Sequence, residues 1–318
     1  MALTLALAGD TMLGRGVGDT IAGRRAAALF APEVVELTRA ADLFVCNLEC
    51  CISARGEPFP DPRKPFFFRA PPVAAEVLAD LGVSCVTLAN NHALDFGAAA
   101  LLDTLEHLEA AGVLWVGAGA DETAARAPRH LEAAGIRIRV VAVTDHPAAY
   151  AAAPGRPGVA HADLQRGLPE WLRAAARPGP DADVVLVTPH WGPNMAAAPV
   201  PHVRAAAAAL LAEGATLVAG HSAHVFQGVA GRVLYDLGDF IDDYRVDRKL
   251  RNDLGLLFLV TVAPAGLERL EAVPLRLDYA YTRLATGDDA AWIRERFVRA
   301  CAELGTRVRE EDGRLVLV

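Results

Sequence analysis

Apolar residues fall in short, nearly unbroken runs at positions 3–8, 43–46, 83–88, 113–116, 136–143, 184–187 and 216–218. Runs of this length without polar alternation predict strands covered on both faces. Between them lie longer segments of mixed character, at 32–41, 72–81, 98–111, 164–176 and 201–213, with proline near several starts and glycine after several ends. These predict helices. Strands alternating with helices specify a layered α/β architecture.

The pattern changes after Gly220. Strand-like stretches at 225–229, 233–235, 255–262 and 267–277 follow one another with only Gly or Pro punctuation, which predicts an antiparallel back half. A last helix is expected at 289–304 and a short closing strand at 315–318. The chain has no internal repeat and no clear linker, and the Pro/Gly-rich segment 152–159 is the best place for an excursion. Residues 1–318 are therefore read as a single domain.

Composition narrows the function classes. Hydrophobic residues make up 53% of the chain and charged ones 22%, the balance of a well-packed soluble protein and not of a disordered one. The formal net charge of -8 leaves no global positive field for phosphate backbones, so nucleic acid is not an expected partner. The start, MALTLALAGD, lacks the basic region of a secretory signal, and no uncharged apolar run reaches bilayer length. No membrane span and a cytoplasmic location are expected. Cys46, Cys50, Cys51, Cys85 and Cys301 are odd in number and without framework spacing, so they read as reduced thiols filling the core.

The polar motifs stand where apolar runs end. Gly9-Asp10 follows the first, Asn47-Leu48-Glu49 the second, Asn90-Asn91-His92 the third, and His190-Trp191-Gly192 and Gly220-His221-Ser222-Ala223-His224 two later ones. In α/β sheets the carboxyl ends of the strands form the ligand crevice, so these groups should converge. Carboxylate, carboxamide and imidazole together suit Zn, Mn or Fe as one or two divalent metal ions, whereas Mg or Ca alone would ask for mostly oxygen donors. Each motif also has a bland reading: Asp10 as a cap, Asn90 and Asn91 as an Asx-turn, His92 or His190 as a satisfied core histidine. Glu49 resists one, because a buried carboxylate is costly unless paired or coordinated. The joint pattern makes Asp10, Glu49, Asn91, His190, His221 and His224 the expected metal ligands.

Other polar residues carry less. His107, His130, His161 and His202 read as solvated, and His146 as structural although it follows a strand. Trp191 is a packing wall or a stacking surface for substrate. Arg15, Lys64 and Arg69 are able to meet an anionic substrate.

Taken in order, GDTMLGR at 9–15, NLE at 47–49, FFFRAPP at 66–72, LANNHALDFG at 88–97, HWG at 190–192, GHSAHVFQG at 220–228 and YDLGDF at 235–240 resemble the CapA family of capsule and poly-γ-glutamate synthesis proteins. The resemblance implies a calcineurin-like metallophosphatase fold, a four-layer β-sandwich flanked by helices. It also implies that Asp10 and His224 hold one ion, that Asn91, His190 and His221 hold another, and that Glu49 bridges them. His92 would then donate a proton or support a ligand.

Two departures stand out. Met12 occupies the place where metallophosphatases usually carry a second ligand, so the first ion is short of one. Asp236 and Asp239 stand where the family usually has Ser and Asn. Soluble relatives include a lasso-peptide epimerase, so a small-molecule, peptide or polyglutamyl substrate is expected. The favoured chemistry is α-carbon epimerisation, with His92 and Asp239 as the catalytic proton-transfer pair and Arg15, Arg69 and Trp191 in contact with substrate. Metal-assisted hydrolysis of a phosphoester or amide is the alternative, and a non-catalytic subunit of a polymer-synthesis complex the third.

Overall fold

The computed structural model describes residues 2–21 and 28–318. Two sheets dominate it. In the first, the order is Val308–Glu311, Arg314–Leu317, Gly266–Asp278, Leu254–Ala263, Leu3–Thr11, Leu43–Leu48, Cys85–Thr87 and Leu114–Val116. Asp239–Ile241 pairs with Leu3–Thr11 and Tyr281–Leu284 with Gly266–Asp278. The second sheet runs Val229–Ala230, Val233–Leu234, Leu217–Ala219, Val184–His190, Ile136–Thr144 and Arg129–Ala133.

The side-chain period of two sorts the apolar runs into layers. Leu3, Leu5 and Leu7 share one core with Ile138, Val140, Val184 and Leu186, so this core lies between the sheets. Ala6, Ala8, Phe44 and Cys46 point the other way, onto helices Pro32–Ala40, Ala74–Asp80 and Gly97–Ala110. Val141, Val143, Val185 and Val187 likewise cover helices Glu170–Ala176 and Pro201–Glu213. The result is helix, sheet, sheet, helix, the expected four layers. Both faces of each central strand are buried, which is why those strands read as unbroken apolar runs.

Several elements differ from the sequence reading for physical reasons. Residues 225–229 form coil up to the short strand at Val229, because Phe226 is spent on contacts with Trp292 and Phe297 of the last helix, not on pairing. The helix expected at 164–176 is broken: a 3-10 turn, Leu164–Arg166, ends at Gly167, and Pro169 precedes Glu170–Ala176. Arg129–Ala133 was not legible as a strand because only Leu131 of it is buried, as befits a charged edge. The back half is antiparallel across Leu254–Leu284 but parallel where Val233–Leu234 meets Leu217–Ala219. All five cysteines are free and buried, and burial pushes the Cys46 thiol up to about 12.

The strand Leu3–Thr11 is the axis of the site. It runs parallel to Leu43–Leu48 with a register shift between Ala8 and Asp10, and parallel to Asp239–Ile241 with Asp10 opposite Asp239. Gly9 permits this double pairing, since a Cβ there would lie 1.8 Å from the Gly238 carbonyl oxygen, the atom that accepts from the Asp10 amide at 2.9 Å. A substitution Gly9→Ala must push the two strands apart. It should cost roughly 2 kcal/mol or more, read as a lower denaturant midpoint at unchanged slope. An unaltered midpoint would show that the strands part without cost.

Candidate metal centre

The parallel strands of both sheets end at one crevice, and each end delivers a motif. Asp10 is the second-last residue of the strand Leu3–Thr11 and Glu49 follows Leu43–Leu48. Asn90, Asn91 and His92 follow Cys85–Thr87, His190 closes Val184–His190, and His221 pairs with His190 as an isolated parallel bridge. His224 is aimed inward by a left-handed backbone, φ 58°, within the loop after Leu217–Ala219. Asp236 ties that loop down by accepting from the Ala223 amide at 2.8 Å and the Gly238 amide at 2.9 Å.

Asn47 holds the centre of this crevice. Its amide nitrogen donates to Asp10 Oδ1 at 2.7 Å and to Glu49 Oε2, and its oxygen accepts from Thr87 Oγ1 at 2.9 Å and Asn90 Nδ2 at 3.0 Å. The Thr87 proton is thereby committed, so Thr87 accepts from His221 Nε2 at 3.3 Å. That fixes the His221 tautomer and leaves its Nδ1 bearing a lone pair, 2.8 Å from His190 Nδ1 and 3.7 Å from Asp10 Oδ1. His92 is fixed in the same manner. Its Nδ1 donates to Asp95 at 2.5 Å, its ring stacks on Phe68 at 4.0 Å, and its Nε2 faces Glu49 Oε1 at 3.9 Å. Asp95 is held in turn by Tyr150, Lys64 and the Phe68 amide.

The donor set fits a divalent cation. Asp10 Oδ2, Glu49 Oε1, Asn91 Oδ1, His190 Nε2 and Asp239 Oδ2 are all buried without a hydrogen-bond partner. Buried polar atoms are rarely left so, and five in one crevice with mixed oxygen and nitrogen chemistry is the arrangement a metal satisfies. Two groups of three have ligand atoms within 4.8 Å of one another: Asp10 with His190 and His221, and Asp10 with His224 and Asp239.

Electrostatics match the geometry. Burial raises the Glu49 carboxyl well above its usual range, and the neighbouring Asp10 charge adds to this. Burial opposes a charge on His224, yet Asp239 and Asp10 together outweigh it and hold the imidazole protonated. Burial lowers His92 and His221 to about 4 and His190 further, so these three are neutral at pH 7.

Beside the crevice opens a cleft of about 290 Å³ bounded by Arg15, Phe66, Phe68, His92, His224 and Tyr244 among others. Arg15 lies over the Phe66 and Phe68 rings and pairs with Asp243 at 3.2 Å. The other two expected substrate contacts are placed elsewhere. Arg69 donates to the Arg55 and Gly56 carbonyls and covers the Phe96 ring at 4.1 Å, while Trp191 is buried in a helix-side core with its nitrogen donating to Tyr235. Lys64 is spent on Asn91 and Asp95.

Residues that the sequence reading passed over also converge here. Asn47, Thr87 and Asp95 set the ligand geometry, and the signal for two of them lay inside the quoted motifs, two residues before Glu49 and three residues after His92. His146 and His202, read as structural or solvated, share Asp145 at the edge of the site, and the His146 ring lies 5.3 Å from that of His190.

The family described as bacterial capsule synthesis protein PGA_cap matches residues 4–244, which includes every ligand candidate. The chain belongs to that family. A probable polyglutamine synthesis accessory protein of Mycobacterium tuberculosis is 35% identical over 302 residues, spanning 88% of this chain and 77% of the relative. A PGA biosynthesis protein, CapA, of Bacillus subtilis is 29% identical over 247 residues, spanning 76% of this chain and 63% of the relative. Among solved structures, a hypothetical protein from Thermus thermophilus superposes with a TM-score of 0.50 at 16% identity, over 86% of this chain and 99% of its own. The helix, sheet, sheet, helix layering is the four-layer arrangement that the capsule synthesis motifs implied. No helix among the described residues is long and apolar enough to cross a membrane.

In this capsule synthesis protein a cation that takes His224 and Glu49 as ligands must displace their protons. Both groups have raised pKa values, so metal affinity should fall as pH is lowered through the range in which they take up protons, by about tenfold per pH unit for each proton released. Titration calorimetry of Mn²⁺ in buffers of different ionisation enthalpy reads the proton count. Heats independent of buffer would overturn these protonation states.

Proposed function

We propose that this protein is a metal-dependent enzyme of capsule or polyglutamate synthesis that inverts the α-carbon of a glutamyl residue in a peptidyl chain. The observation that carries the reading is the pairing, within one cleft beside the metal crevice, of a neutral imidazole and a protonated phenol. The His92 Nδ1 proton is committed to Asp95, so Nε2 carries the lone pair that accepts a proton. Tyr244 lines the same cleft with its hydroxyl buried and unpartnered, and burial with the carboxylates around it keeps the phenol protonated.

Asp10, Asn91, His190 and His221 would hold a divalent ion, and when bound it would supply positive charge for polarising a carbonyl. His92 removes the α-proton as the carbonyl oxygen gains charge, and Tyr244 delivers its phenolic proton to the opposite face. The imidazolium and phenolate then exchange with solvent. Tyr244 takes the acid role in place of Asp239, whose carboxylate accepts from His224 at 2.9 Å. Arg15 stands at the mouth of the cleft to meet a substrate carboxylate. A second cleft, past His146 and His202, shares Asn194 with the first, which suits a chain longer than one residue.

Hydrolysis of an amide or phosphoester is the second reading, because the same His92 Nε2 is able to deprotonate water. An accessory role without catalysis is the third, in line with the mycobacterial relative being a probable accessory protein. Incubation with Mn²⁺ and a γ-L-glutamyl pentamer in D₂O separates them. Inversion requires D-residues that carry α-deuterium, and Tyr244→Phe should keep deuterium wash-in while losing inversion by about 100-fold or more. Shortened chains without α-deuterium would establish amide hydrolysis, and an unchanged pentamer would sink inversion and amide hydrolysis alike.

A further inference from the structure

We infer that Asp10 is shared between two metal positions and that Asp239 completes the second one with His224. This rests on the reading of the crevice as a metal centre, and it changes the roles expected of three residues. Asp10 is shared by the two positions, Asp239 is a ligand and not a proton carrier, and the shortfall at Met12 is made good from another strand.

The argument starts from strand register. Asp239–Ile241 pairs in parallel with Leu3–Thr11 and sets Asp239 opposite Asp10, so the pleat presents both carboxylates side by side. The two oxygens of Asp10 then face different partners. Oδ1 takes the Asn47 amide and lies 3.7 Å from His221 Nδ1, whereas Oδ2 lies 3.2 Å from His224 Nδ1 without a hydrogen bond. Asp239 gives one oxygen to His224 at 2.9 Å and keeps the other buried and unpartnered. Both groups of three converge on Asp10, and Glu49 belongs to neither.

The remaining residues near this second position are excluded on geometry. Met12 is buried in the helix-side core and its sulfur accepts from the Gly14 amide at 3.1 Å, so it offers no hard ligand. Asp236 spends both oxygens on backbone amides. Asp242 gives one oxygen to the Tyr244 amide, and neither group of three includes it. Two carboxylates and one imidazole form the set that Mn²⁺, Fe²⁺ or Zn²⁺ accepts, and the first position, with two imidazoles and one carboxylate, is the softer of the two. A shared carboxylate is the usual link of a paired site.

The test is to load the full chain with Mn²⁺, count ions per chain by elemental analysis after desalting, and record the electron paramagnetic resonance spectrum. The wild-type protein should hold two ions with an exchange-coupled signal. Asp239→Asn, which keeps shape and an acceptor for His224, should hold one, with the second weakened by about 100-fold and the spectrum reduced to that of an isolated ion. Met12→Leu, a volume-conserving change, should keep both ions and the coupling. Circular dichroism shows whether each variant is folded. If Asp239→Asn retains two coupled ions, or Met12→Leu loses one, the assignment is wrong while the metal-enzyme reading stands. A folded wild-type protein that holds a single ion likewise overturns the shared site, and one that holds none overturns both.

Discussion

One carboxamide holds the site together. Asn47 has two N–H donors and two oxygen lone pairs, and Asp10, Glu49, Thr87 and Asn90 use all four. Two fully buried carboxylates this close would repel one another, and a shared neutral donor lowers that cost without adding a charge. The consequences spread outward. Thr87, once committed to Asn47, decides which nitrogen of His221 is free, and Asn90, once anchored, uses its own oxygen to hold the His92 amide at 3.0 Å. A change at position 47 would therefore disturb ligands from four strands, although Asn47 itself belongs to neither group of ligands.

The layered fold explains how so many unsatisfied atoms are tolerated. Polar atoms without partners in a buried crevice cost stability, and the loops that carry them adopt left-handed backbone at Ser222 and His224. Such strain persists only where the surroundings over-determine it. Here the inter-sheet core and two helix-covered faces fix the strand ends, and Asp236 staples the 220–224 loop to the 236–238 turn. A cation would remove much of this cost at once, which ties folding stability to metal supply.

What the sequence disclosed follows from the same physics. Strands buried on both faces announce themselves as apolar runs, and polar residues at the ends of several such runs should meet, so the convergence of Asp10, Glu49, His190 and His221 was legible from the motifs taken jointly. Asn47 was hidden because a carboxamide has no single expected role. The pairing of Asp10 with Asp239 was invisible, since Asp239–Ile241 is three residues long and its register is set by a partner 229 positions away. Arg69, and the stacking alternative for Trp191, turned out otherwise for a different reason: a cation or an indole near a motif says nothing about which way the side chain turns. Tyr244 and Asp95 gained their meaning only from neighbours supplied by other loops.

The charge around the cleft bears on what enters it. Arg15 is the cation nearest the aromatic floor, and Asp243 at 3.2 Å already offsets it. Arg245 lines the same cleft, while Asp242 and Asp243 stand behind it. A dianionic phosphate would need several unopposed donors to repay its desolvation, and this cleft offers few. A single carboxylate on an otherwise neutral chain asks less. For such a group Arg15 offers one partly balanced guanidinium, Phe66, Phe68 and Tyr244 offer apolar surface, and Asn194 joins the cleft to the one lined by His146 and His202. Phe66, Phe68 and Tyr244 therefore make up much of the wall, and the two arginines beside them, Arg15 and Arg245, share it with neutral Asn194 and Asn252.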